Sequence, residues 1–235
     1  MRAIIIEHTG GPEALRLADV PTPEPGPGQV LIRVAWGVNP ADWKDREGML
    51  AMYAPYHFPY IVGFDAAGVV ERVGAGVDKP RPGDRVFTPG NHGQGAWGSY
   101  AEFMVANADR TATIPPSMSF AAAASIPVAA LTGWQALFDR GGLQAGQRIM
   151  IHGGSGGLGS FAVQFARWAG ARVAATCGTA NSTTGRVRKT LPWRTTGIRG
   201  HPTDWICWWT PWAPVPCPSA WAWCVRAALT SASRR

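Results

Sequence analysis

The residues best placed by type and spacing to do chemistry are Gly154-Ser155-Gly156-Gly157-Leu158-Gly159. They fit Gly-x-Gly-x-x-Gly, a pattern in which missing side chains let a backbone pass close to a phosphate. Gly154 is expected to allow the tight turn, Gly156 to admit a pyrophosphate, and Gly159 to let helix and strand pack closely. Amides at the start of the following helix would face the phosphates. A ligand-free glycine turn would have the same composition, so the flanking elements decide. Residues 147–151 (QRIMI) read as a short apolar strand, and residues 160–169 read as a helix. Leu158, Phe161, Ala162, Phe165, Ala166 and Ala169 recur three or four apart and would form its apolar face. Residues 172–176 (RVAAT) are the next strand. This strand–loop–helix–strand unit is how a parallel dinucleotide-binding sheet begins.

The end of that second strand bears on which dinucleotide. A site for NAD usually has an acid about 20 residues beyond the glycines, for the ribose 2′-hydroxyl. Here the strand ends Thr176-Cys177-Gly178-Thr179, with no acid. A small polar pocket lined by Thr176 and Gly178 suits a 2′-phosphate, so NADPH is the expected cofactor. The alternative is that these residues only turn the chain.

Upstream, the elements are of another kind. Residues 2–6, 29–35, 67–73, 84–88 and 99–106 read as strands, rich in Ile and Val. Gly- and Pro-rich turns such as VPTPEPGPG (20–28), VGAG (73–76) and KPRPGD (79–84) separate them. Many short strands with such turns imply a small barrel-like β domain. Residues 39–48 (NPADWKDREG) form a turn leading into a short helix. Residues 119–140 hold Ala-rich helical stretches broken at Pro127.

The chain has 235 residues, 46% of them apolar and 16% charged, enough for a sizeable core. Its formal charge of +7 is not evenly spread. Residues 1–180 hold 14 of the 22 Lys and Arg and 14 of the 15 Asp and Glu, so they are neutral. The whole excess lies in residues 181–235, with seven of the 12 Trp and three of the four Cys. That segment has no Glu, Gln, Phe, Tyr or Met. Prolines at 192, 202, 211, 214, 216 and 218 interrupt every candidate element, so an irregular tail is expected. The N-terminus does not read as a signal peptide. The longest apolar stretch, 120–131, is too short to span a bilayer. One cysteine, Cys177, in the neutral body excludes a disulfide framework there. A cytoplasmic protein with no membrane partner is the default expectation.

Several stretches carry a resemblance to a known family. They are residues 10–34 (GGPEALRLADVPTPEPGPGQVLIRV), 39–48, 62–77 (VGFDAAGVVERVGAGV), GDRV (83–86), GSYAEF (98–103) and residues 131–176. In this order they resemble the medium-chain dehydrogenase/reductase superfamily, specifically its zinc-free quinone oxidoreductase branch. The resemblance covers nearly all of 1–180. It implies an α/β plus β fold: a GroES-like β-barrel catalytic domain (1–120), then an incomplete Rossmann domain (121–180), then a non-family tail (181–235). The active site would lie in the cleft between the two domains. Asn39 would stand near the substrate and Thr132 near the nicotinamide. Tyr53 is a candidate substrate-side hydroxyl. Asn39 could equally be the turn residue before Pro40. Asp42 and Lys44 are expected to form a surface ion pair, and Trp134 to pack its helix rather than stack on substrate.

Zinc-dependent relatives have Cys where this chain has Asn39, and a His–Glu pair where it has Phe64-Asp65. Asn and Phe do not suit zinc, so no metal is expected. His57 and His92 are expected to be surface or packed histidines. The implied reaction is hydride transfer from NADPH to a quinone or similar electrophilic carbonyl or alkene, with the cofactor carrying the chemistry.

Beyond residue 180 the resemblance ends, and the further βα units of a Rossmann sheet are missing from the pattern. A reading-frame shift near codons 180–182 would produce this Arg-, Trp-, Pro- and Ala-rich composition from a GC-rich gene. A gene sequence in which no downstream frame encodes those units would refute it. Two other readings of the tail are weaker. Its Trp cluster lies apart from its Arg run, against single-stranded nucleic acid as partner. Cys207, Cys217 and Cys224 lack the spacing of a zinc site. The expected consequence is a poor enzyme that has lost the family's homodimer edge, or else a non-catalytic fragment with residual nucleotide binding.

Overall fold

A computed structural model describes residues 1–51, 55–90 and 97–178, and the backbone of 205–208. Tyr53, His92 and most of the tail lie outside the described residues. The chain divides into two compact units, residues 1–128 and 129–235.

The first unit is built from antiparallel strands. Strands β1 (Arg2–Ile5) and β2 (Arg16–Asp19) pair in register from Arg2 opposite Asp19 to Ile5 opposite Arg16. The main sheet has the order β6-β3-β4-β5-β7. Its members are β3 (Gln29–Trp36), β4 (Ala66–Val73), β5 (Arg85–Thr88), β6 (Phe103–Asn107) and the two-residue β7 (Ala112–Thr113). Val30, Ile32, Val70, Val86 and Ala106 share one buried cluster, the inward set of an alternating pattern. The sequence did not foretell β2. Its residues RLAD are mostly exposed, so no hydrophobic alternation marks it.

Gly68 shows how tightly this sheet closes. A Cβ there would strike the carbonyl of Arg33 on the neighbouring strand. Pairing slips between Leu31 and Ile32 and between Val34 and Trp36, and such bulges bend a strand. Two short helices complete the unit. The first, α1 (Ala41–Arg46), follows β3. The second, α2 (Phe120–Ala124), is capped by the Ser119 hydroxyl, which accepts from the Ala122 amide at 3.2 Å.

Helix α3 (Pro127–Trp134) begins at Pro127, as proline's fixed φ and missing N–H favour at a helix start. It continues as one wider π turn through Gln135–Arg140. In the second unit, β8 (Arg148–Ile151) pairs parallel with β9 (Arg172–Ala175), and α4 (Gly157–Trp168) crosses between them. Ala162 and Ala166 of α4 are fully buried against Ile149, Ile151 and Ala175. The inward residues are thus smaller than the periodicity implied, and small side chains let helix and sheet approach. Trp134 packs against Phe138, Phe165 and Trp168, with ring centroids 4.5, 5.6 and 6.0 Å away. It therefore packs helices, as expected. One part of the tail departs from the irregular structure expected there. Residues Trp205–Trp208 form β10, parallel to β8 on the side opposite β9.

Candidate functional site

The nucleotide-loop residues come together in the second unit. After β8, Gly153 adopts φ +72°, the left-handed region open to glycine. The tight turn thus falls on Gly153, one residue before the position the motif assigned to it. Gly154 has a different role. Its amide donates to the Thr176 carbonyl at 2.8 Å, and a Cβ there would come within 2.7 Å of the Ala175 Cβ. Gly154 is therefore the position of close approach to β9. Gly159 packs closely, as expected, but against the loop itself. A Cβ on it would run into the Gly153 carbonyl and lie 2.8 Å from the Gly154 Cα.

The outer face of the loop is open. A Cβ on Gly156 would meet only the Gly153 oxygen at 3.3 Å, and one on Gly157 nothing within 4 Å. Ser155, Gly156 and Gly157 are exposed and Leu158 half-buried. Gly156 caps α4 with no side chain to offer. The first intrahelical bond of this turn runs from the Ser160 amide to the Gly156 carbonyl at 2.9 Å. The amides of Gly157, Leu158 and Gly159 thus have no acceptor within the helix, and the positive end of its dipole faces outward. That arrangement fits a pyrophosphate.

Thr176 supports the loop from behind. Its Oγ1 accepts from the Gly153 amide at 3.1 Å and lies 3.3 Å from Nδ1 of His152. Burial holds the His152 imidazole below its ordinary pKa, favouring the neutral ring that can accept from the threonine hydroxyl. The Thr176 hydroxyl is therefore engaged in loop architecture, not left free to line a pocket. Cys177 is half-buried, Gly178 exposed, and neither carries a charge. Thr132 is exposed on α3.

Asn39 sits in a polar network of the first unit. Its Oδ1 accepts from the Ala41 amide at 2.8 Å, the turn geometry foreseen before Pro40. Its Nδ2 donates to Asp65 Oδ2 at 2.6 Å. The other Asp65 oxygen accepts from the Val128 amide at 2.9 Å. Asp42 does not form the expected surface ion pair. It is 2% exposed, and its oxygens accept from the amides of Asn39 at 2.7 Å and Phe64 at 2.9 Å. Lys44 instead lies 5.3 Å from the centre of the Trp43 ring. Burial pushes both carboxyls up, Asp65 to about 6. Burial likewise raises Tyr100, whose hydroxyl bonds Asp42, to about 12. Below these, Asp45 accepts from the hydroxyls of Tyr56 at 2.9 Å and Tyr60 at 3.0 Å.

Sequence reasoning missed Asp65 as a site residue, having weighed its position only for zinc ligation. The available signal was a single charge inside the apolar run Val62-Gly-Phe-Asp-Ala-Ala-Gly-Val-Val. Charges are rarely buried unless hydrogen-bonded or paired. Among the described residues, no group of three or more His, Cys, Asp or Glu could hold a metal ion. Nor is any helix among them long and apolar enough to cross a membrane.

Residues 26–116 match the family model of the alcohol dehydrogenase GroES-like domain. The chain is 39% identical over 180 residues to a chloroplastic quinone-oxidoreductase homolog of Spinacia oleracea, covering 74% of this chain and 54% of that one. A mycobacterial structure solved with NADPH is 35% identical with a TM-score of 0.70, covering 83% of this chain and 60% of that one. A structure described as an NAD-dependent alcohol dehydrogenase is 34% identical with a TM-score of 0.70, covering 79% and 60%. The fold and glycine loop, with these matches, make this an α/β plus β chain of the dehydrogenase kind. Over about three quarters of its length it is similar to quinone oxidoreductases of the medium-chain dehydrogenase/reductase superfamily. The chain spans about half the length of the curated relatives it matches.

Proposed function

We propose that this chain derives from an NADPH-dependent, zinc-independent reductase of quinones or similarly electrophilic carbonyl compounds and alkenes. The observation that carries the reading is the loop at 154–159, whose open face and first helix amides, which have no acceptor within the helix, fit a dinucleotide pyrophosphate. Bound there, a reduced nicotinamide supplies a hydride. The amides of Gly157 and Leu158 would hold the diphosphate, Ser155 and Gly156 form the open rim around it with the Gly156 amide bonded back to the Gly153 carbonyl, and Gly154 and Gly159 keep the loop tight. Thr176 braces the loop. With Gly178 it leaves the end of β9 without an acid to repel a 2′-phosphate, which favours NADPH. Thr132 serves the nicotinamide side, and Asn39 and Tyr53 the substrate side. A quinone needs one hydride and one proton to become a hydroquinone, and the proton comes from solvent or a hydroxyl group.

Residues 181–235 differ in composition from everything before them, and the match to the spinach relative covers 180 residues and 54% of that protein. We therefore expect this chain to be a weak catalyst without the family-type dimer, its tail arising from a shifted reading frame. Steady-state oxidation of NADPH by the full chain, with menadione as acceptor, tests this. Weak but NADPH-dependent turnover supports the reading. Turnover matching a full-length relative refutes the impairment, and saturable NADPH binding with no turnover leaves the fragment reading standing.

A further inference from the structure

Asn39 and Asp65 form a pair whose hydrogen-bond inventory is nearly complete. A carboxamide has two N–H donors and one oxygen acceptor, and its two ends are told apart by their partners. Here the partners leave no choice. The Ala41 amide can only donate, so it faces Oδ1. An ionised Asp65 can only accept, so it faces Nδ2. Asp65 is 1% exposed and held in turn by the Val128 amide, so it has little freedom to move. Asn39 itself is only half-buried. Its second Nδ2 hydrogen has no partner within this pair.

We propose that Asp65 is a positioning residue, which locks the Asn39 carboxamide so that its remaining N–H is presented as the donor to the substrate's carbonyl oxygen. The proposal rests on the reading of the chain as a carbonyl or quinone reductase. It goes beyond that reading in assigning a role to Asp65 and a specific hydrogen atom to Asn39. A donor held in place before substrate arrives needs no reorganisation when negative charge develops on the oxygen. An asparagine free to rotate would present Oδ1, an acceptor, for part of the time.

The lock depends on the charge of Asp65. Once protonated, the carboxyl can donate as well as accept, so the carboxamide keeps its Ala41 anchor on Oδ1 but loses the anionic acceptor that holds Nδ2 inward. Burial brings that protonation to about pH 6. Asp42 on α1 is the charged neighbour acting on Asp65, and it raises the value further. The Tyr100 hydroxyl lies behind Asp42, while Asn39 and the Val128 amide oppose the rise.

The test uses the full chain labelled with 15N-asparagine, the Asn39 side-chain pair being assigned by its loss in Asn39→Ala. That pair is followed from pH 4.5 to 8, and then with menadione as the probe. The account expects one Nδ2 hydrogen to titrate with a midpoint near pH 6 and the other to move on adding menadione. Asp65→Asn should weaken menadione about tenfold, and should add nothing in the Asn39→Ala background. A pair insensitive to pH between 5 and 7 overturns the proposal, and this part needs no variant to fold. Equal menadione affinity in wild type and Asp65→Asn also overturns it. A pair that titrates with Asp65 but ignores menadione overturns the quinone reading and the substrate half of the proposal, and supports the lock.

Discussion

Replacing Gly159 with alanine places a methyl group where the structure has no room. The new Cβ would overlap the Gly153 carbonyl oxygen and sit 2.8 Å from the Gly154 Cα. Both obstacles are backbone, so no side chain can swing aside. Relief requires moving α4 from the loop, or moving Gly153 and Gly154. Gly153 holds the left-handed turn, and its amide is bonded to Thr176 Oγ1. The Gly154 amide is bonded to the Thr176 carbonyl, and Gly154 is itself pressed against Ala175. Overpacking a well-filled site costs about 1–3 kcal/mol, and a backbone obstacle puts Gly159→Ala at the upper end. Gly157→Ala is the matched control. Its Cβ meets nothing within 4 Å, and alanine in a helix is favoured over glycine by about 1 kcal/mol. Urea unfolding followed by far-UV circular dichroism should show the second unit destabilised in Gly159→Ala and unchanged or stabilised in Gly157→Ala. NADPH titration should show the reverse dissociation for Gly157→Ala: a stable fold with weakened binding, because the methyl stands on the face open to the diphosphate. Equal stability of the two variants would refute the packing argument.

Thr176→Val keeps the shape of β9 but removes the acceptor for the Gly153 amide, so NADPH should bind several-fold more weakly with little change in secondary structure, as read by fluorescence titration. Ser99→Ala should stabilise the first unit by about 1 kcal/mol in urea unfolding, because the Ser99 hydroxyl is buried with no hydrogen-bond partner among the described residues. For Asp65, the folded pKa of about 6 lies above the ordinary 3.8, so the folded state holds this proton more tightly. Its contribution is fully present below about pH 4 and is lost as pH rises through 6, by at most ~3 kcal/mol. Wild type should therefore lose stability relative to Asp65→Asn between pH 4.5 and 7, and a constant or opposite difference would contradict the assignment.

Much of this was legible in the sequence because it is local. The apolar run before Gly154 located β8 within a residue, and the helical spacing after it located the end of α4 within one residue and its start within three. Pro127 marked where one helix stops and another starts. What stayed hidden depends on distant partners. Asp42 reads as a surface residue beside Lys44 until Phe64, 22 residues away, brings an amide to its carboxylate. Asp65 reads as a failed zinc ligand until Asn39 and Val128 converge on it across separations of 26 and 63 residues. The Gly-x-Gly-x-x-Gly pattern specifies spacing but not dihedral angles, so it could not say that Gly153 rather than Gly154 makes the turn. Strand β10 could not be foreseen, since its residues pair with β8 from more than 50 positions away.

Residues 154–159 should form a working dinucleotide site in this chain. Isothermal titration of the full chain with NADPH and, separately, with NADH tests it most directly. The account predicts saturable one-to-one binding, tighter for NADPH than for NADH and weakened in Gly157→Ala. No saturable binding of either nucleotide by a chain whose circular dichroism shows it folded would contradict it.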